Sequence, residues 1–152
     1  MAKSDKMFMD IAVRTAEESN CVKYHVGCVI VKDGRIILQG YNGTVSGFIN
    51  CDEKFKDVKM DIPYFRKEHR EWSSAVELHA EMNIITYSAR KGIALEGTTM
   101  YCTLQPCNNC LKHIVSAGIK KVVYMTEKED DNKQEDIEIL KKRIEIVKYK
   151  DE

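Results

Sequence analysis

Two short stretches carry residue types that bind metals and move protons: "ELHAEMN" at 77–83 and "TLQPCNNC" at 103–110. Cys107 and Cys110 stand three residues apart, just after Pro106. At a helix start that spacing puts both sulfurs on one face, within reach of one ion. Proline suits a first helical position, where its missing N–H is not needed. The positive end of a helix also favours thiolates, the form that binds metal. Tetrahedral Zn²⁺ needs further ligands, and the chain has no second CxxC to close a four-cysteine site. His79, 28 positions before Cys107, can supply an imidazole. The resulting His–Cys–Cys set leaves a fourth position open to water, as catalytic zinc sites do. Glu81 follows His79 by two residues, which is about 200° around a regular helix. The two side chains share a cavity only in a first turn, with His79 on the cap side. Glu81 therefore reads as an acid–base group beside the metal rather than a ligand.

Each stretch alone is ambiguous. A CxxC at a helix start also fits a thioredoxin-type redox pair or two buried small hydrophobes, and a His and a Glu share many surface helices. H-x-E, a strand and then P-C-x-x-C in one chain is far more specific.

These residues need elements to hold them. Met7, Phe8, Ile11, Ala12 and Ala16 recur at helical spacing behind Ser4 as N-cap, which predicts a helix over about 4–19. "VGCVIV" and "RIILQGY" flank Asp33-Gly34 and read as a tight hairpin. Residues 42–78 show glycines, Pro63 and many charges without clear period, and read as a long loop, functional or partly disordered. A helix returns from Leu78 to Arg90, stopped by Gly92. "TTMYCTL", "KKVVYM" and "IEIVKY" read as strands, separated by helices in "PCNNCLKHIVSAG" and "QEDIEILKKR". A hairpin followed by alternating helices and strands predicts an α/β sheet sandwiched between helices, in one domain over residues 1–152.

Composition narrows the function classes. Lys plus Arg and Asp plus Glu are 24 each among 152 residues, a balance that leans toward a small-molecule partner and away from nucleic acid. The N-terminus "MAKSDKMFMD" lacks the apolar run of a signal peptide, and nowhere do about 18 apolar residues follow one another, so no membrane partner is expected. The expected address is the cytoplasm, and six cysteines there suit ligands, nucleophiles or core positions better than disulfides. Cys28 and Cys102 alternate with apolar neighbours and read as core. His25 and His113 have no assigned role, and "EKEDDNKQEDIE" reads as a solvated loop and helix face.

The H-x-E…P-C-x-x-C conjunction is the signature of zinc nucleobase deaminases. The sequence resembles the cytidine and deoxycytidylate deaminase superfamily, and within it the phage-type dCMP deaminases. The likeness runs through "VGCVIVKDGRIILQGYNG", "HREWSSAVELHAEMN", "HAEMNIITYSARKG" and "GTTMYCTLQPCNNCLKHIVSAGIKKVVY". It implies a three-layer α/β/α fold with a five-stranded mixed sheet, usually assembled as a homohexamer. It implies His79, Cys107 and Cys110 as zinc ligands, Glu81 as proton shuttle, and Asn42 on the deoxyribose. Lys23 stands where the family usually has an arginine for the 5′-phosphate, and Tyr124 where a tyrosine closes on that phosphate. An ammonium neutralises a phosphate but does not grip it with a planar fork. Tyr87 and Arg90 match positions tied to activation by dCTP and inhibition by dTTP, effectors that would bring Mg²⁺. Cys21, Cys51 and His69 match positions of a second, structural zinc, with no fourth ligand evident. The implied reaction is hydrolytic deamination of dCMP to dUMP, the precursor for thymidylate synthesis, in the host cytoplasm if the chain is viral.

Three rivals stand beside it. The same chemistry could act on free cytidine, dCTP, a riboflavin-pathway pyrimidine or tRNA adenosine; Lys23, Asn42 and Tyr124 favour a deoxynucleotide. A catalytically silent zinc-stabilised binding module would not need Glu81. A dithiol redox protein would leave His79 and Glu81 without a role.

Overall fold

The computed structural model describes residues 1–129 and 134–151. Its centre is a five-stranded sheet in the order β2-β1-β5-β6-β7, from β1 (Gly27–Lys32), β2 (Arg35–Tyr41), β5 (Thr99–Leu104), β6 (Lys121–Thr126) and β7 (Glu145–Lys148). The sheet is mixed: β1 pairs antiparallel with β2 and β5, whereas β5–β6 and β6–β7 are parallel. All five expected strands are present, joined as the three-layer fold requires. Asp33 and Gly34 both take positive φ, 52° and 72°, which lets the two-residue turn match the strand twist.

One face of the sheet is covered by α1 (Lys3–Ala16), whose Phe8, Met9 and Ala12 pack on Val29, Tyr101 and Val123. The helix lies close: a Cβ on Gly27 would stand 2.2 Å from the Ala12 carbonyl oxygen. It begins before the expected Ser4 cap, with Ala2 as the capping residue and its N–H donating to the Asp5 carboxylate at 2.8 Å. It also ends at Ala16 rather than near 19. The opposite face carries α4 (Ala80–Lys91), α5 (Asn108–Ser116) and α6 (Glu135–Lys141), burying Ile84, Leu111 and Ile114 against Ile30, Met100 and Val122. Gly92 ends α4 in the left-handed conformation expected of it. Cys28 and Cys102 are fully buried cross-strand neighbours in this core, their sulfurs 2.8 Å apart.

The expected long loop is the main correction. Residues 42–78 contain β3 (Gly43–Thr44), α2 (Cys51–Lys54), the 14-residue α3 (Pro63–Val76) and β4 (Glu77–Leu78), which pairs with β3. The helix α3 turns only His69 fully inward, with Phe65 and Trp72 half-buried beside it. That stripe at 65, 69 and 72 has helical spacing, but its centre is a polar residue type, so the apolar period breaks. In the acidic stretch, 127–129 and most of 134–138 are exposed as expected. Positions 130–133 lie outside the described residues. No helix among the described residues is long and apolar enough to cross a membrane.

Candidate metal and nucleotide site

Two helix N-termini meet at the end of the sheet. His79 is the N-cap of α4 and Cys107 the N-cap of α5, both in extended backbone conformation. Pro106 therefore precedes the cap instead of opening the helix, and its rigid φ steers the chain out of β5. His79 Nδ1 stands 3.6 Å from Cys107 Sγ and 3.3 Å from Cys110 Sγ. A tetrahedral zinc with bonds of ~2.0 Å to nitrogen and ~2.3 Å to sulfur has N···S edges of about 3.5 Å. The three side chains fit that ion. Cys107 is pulled down to about 3 by the hydrogen bond from the Cys110 thiol, against burial and with help from His79. Cys110 moves upward, chiefly because the same hydrogen bond keeps its proton. A bound cation replaces that shared proton and holds both sulfurs as thiolates.

Glu81 is 3% exposed and lines the same cleft as His79 and Cys107. Its position in the first turn resolves the two-residue spacing: the histidine enters from the cap while the glutamate projects over the cavity. Burial raises its carboxyl above the usual carboxylate range. A group so placed can hold a proton and pass it on.

The cleft has a volume of about 610 Å³, room for a nucleotide. Lys23 and Asn42 line it, as do Arg70 and Lys128, which were not singled out from the sequence. Asn42 is buried; its Oδ1 accepts from the Val26 N–H and its Nδ2 donates to the Tyr24 carbonyl, both at 2.9 Å. The amide keeps one hydrogen and one lone pair for a ligand. Tyr124 sits mid-strand in β6 opposite Cys102 and is not among the residues lining the cleft.

A second cluster borders the cleft through Cys21, His69 and Glu77. His69 Nε2 is 3.2 Å from Cys51 Sγ and 3.9 Å from Cys21 Sγ, and Glu77 completes a set of four donors within 4.8 Å of one another. Glu77 Oε1 is buried without a hydrogen-bond partner among the described residues. An orphaned carboxylate oxygen facing two thiols and an imidazole fits a tetrahedral cation. Glu77 supplies the fourth donor that the sequence reading lacked. It escaped notice because a single Glu at a strand start has no spacing signature. Tyr87 and Arg90 lie on the exposed side of α4, where they line a groove of about 970 Å³ with Phe48, Ile49 and Asn83, a groove that Cys21 and Cys51 also border. His25 and His113 bond backbone carbonyls, of Cys21 and Asn109.

A family model described as the cytidine and deoxycytidylate deaminase zinc-binding region matches residues 2–126. The chain belongs to this family. Deoxycytidylate deaminases of Enterobacteria phages T2 and T4 are each 41% identical to it, covering 82% of this chain and 80% and 78% of theirs. The solved dCMP deaminase of cyanophage S-TIM5, in complex with dCMP and dUMP, superposes with a TM-score of 0.74 at 32% identity, over 98% of this chain and 99% of that one. The zinc-binding character of the deaminase family agrees with the His79–Cys107–Cys110 geometry.

Proposed function

We propose that residues 1–152 form one deaminase domain that hydrolyses dCMP to dUMP and ammonia. The observation that carries this is the pairing of a three-donor zinc site, open on one side, with a buried acid in a nucleotide-sized cleft. When bound, zinc supplies a Lewis acid that brings the pKa of water from nearly 16 to about 7. Glu81 takes the water's proton as the water oxygen bonds to C4 of the cytosine, and delivers that proton to N3; it then carries the proton of the new C4 hydroxyl to the amine, which leaves as ammonia when the C4–N bond breaks. Asn42 orients the sugar, and Lys23, with Lys128 and Arg70 nearby, neutralises the 5′-phosphate. The phosphate role first given to Tyr124 finds no support in its placement within this chain. Likeness to relatives named for dCMP supports the deoxynucleotide over free cytidine or dCTP.

The Cys21–Cys51–His69–Glu77 cluster is proposed as a second, structural zinc site. The groove at Tyr87 and Arg90 is proposed as the effector site for dCTP and dTTP, with Mg²⁺ accompanying the triphosphate. Val45, Phe48, Ile49 and Tyr87 are large side chains left exposed on this face, which supports a homohexamer in which another copy covers them. In the host cytoplasm the product would feed thymidylate synthesis.

The test is Glu81→Gln. Zinc content and fold should be retained while turnover of dCMP falls about 10²–10⁴-fold, the usual share of general acid–base catalysis. Near-normal turnover in the zinc-loaded variant would sink the assignment.

A further inference from the structure

We infer that the Cys21–Cys51–His69–Glu77 centre sets substrate affinity, by holding through N–H···S hydrogen bonds the turn that presents Lys23 and Asn42 to the nucleotide. The inference rests on reading that cluster as a metal site.

Residues 20–26 link α1 to β1 and belong to neither. Their backbone is held by side chains instead. Three successive amides point at the two sulfurs: Val22 N–H donates to Cys51 Sγ at 3.4 Å, and Lys23 and Tyr24 N–H donate to Cys21 Sγ at 3.5 Å each. A neutral thiol is a weak acceptor, whereas a thiolate receives charge-assisted bonds. A cation held by Cys21 and Cys51 would keep both sulfurs as thiolates and so strengthen the same three contacts.

The turn then hands its order to the cleft. The Tyr24 carbonyl and Val26 N–H clamp the Asn42 amide, and Ser19 Oγ donates to the Asn42 carbonyl at 2.9 Å. The Cys21 N–H in turn donates to Ser19 Oγ at 3.3 Å. Lys23 lies on this turn and lines the same cleft as His69. From the other side, Glu77 reaches the centre from β4, whose Leu78 pairs with Gly43, the neighbour of Asn42. Both chain segments that carry the proposed phosphate and sugar contacts are therefore tied to one cation. Glu81 is carried on the first turn of α4, a different element from the 20–26 turn. Emptying the centre should loosen the grip on the nucleotide more than it slows the chemistry.

The experiment compares the metal-replete full chain with Cys51→Ser and Glu77→Gln. Glu77→Gln removes no partner of the three N–H···S contacts; it takes a carboxylate from the centre and leaves an amide oxygen to accept from Ser73 Oγ. Metal content, hydrogen exchange of the Val22, Lys23 and Tyr24 amides, and calorimetric affinity for dUMP are measured on each. The expected result is two zincs falling to one, faster exchange at those amides, and dUMP affinity weakened about tenfold. KM for dCMP should rise by a larger factor than kcat falls. Should a variant fail to fold, titrating the second zinc from the wild-type chain with a chelator gives the same comparison. One zinc per chain in the wild type overturns the site and the inference together. A second zinc whose loss leaves amide exchange and dUMP affinity unchanged keeps the site and overturns the coupling.

Discussion

Glu81 and Lys23 illustrate how differently single residues announce themselves. Glu81 was legible because its neighbours His79, Cys107 and Cys110 are ligand types at fixed spacing, and chemistry restricts what such a set can do. Its burial and raised pKa then follow from the first-turn position. Lys23 has no local signature and was read only by likeness; it is exposed at the cleft edge with its Nζ 5.4 Å from the Tyr24 ring centroid. Glu77 was invisible in sequence, since a carboxylate becomes a ligand only when the fold buries it beside thiols. If Lys23 pairs with the 5′-phosphate, Lys23→Ala should lower kcat/KM for dCMP about tenfold or more, the scale of a lost charge-assisted hydrogen bond. Use of deoxycytidine, which lacks the phosphate, should hardly change. Equal losses on both substrates, compared by steady-state kinetics, would show that Lys23 serves only the backbone around it.

At the level of elements, the strands were readable because β-branched and apolar runs are bounded by turn residues, and all five form the sheet. The helix α3 was not readable. Its sequence PYFRKEHREWSSAV is polar nearly all round, and the residue it buries deepest is a histidine facing two cysteines. Tertiary contacts with Cys21, Cys51 and Phe55 supply what an apolar stripe normally does. Helix α1 depends on a closer contact. Gly27 begins β1 beneath it, and an added methyl would meet the backbone of Ala12 and Ala16 rather than a side chain that could turn away. Gly27→Ala should therefore lower stability by about 1–3 kcal/mol, as overpacking does. Thermal or urea unfolding checks this, and an unchanged midpoint would mean that α1 shifts freely on the sheet.

In the molecule as a whole, the His79–Cys107–Cys110 and Cys21–Cys51–His69–Glu77 clusters border one cleft, and Val45, Phe48, Ile49 and Tyr87 are exposed along a neighbouring groove. If another copy covers that face, Phe48→Glu, at a side chain 47% exposed here, should break the hexamer into smaller species in sedimentation. The response to dTTP should fall with it. A hexamer unaffected by this charge would place the interface elsewhere. The catalytic reading itself is tested most directly by ammonia release from the zinc-loaded wild-type chain, supplied in parallel with dCMP, deoxycytidine, cytidine and dCTP. The highest kcat/KM is expected for dCMP, with dUMP as product and loss of activity when zinc is removed. Preference for a nucleoside or for dCTP, or no ammonia from dCMP by zinc-loaded protein, would contradict it.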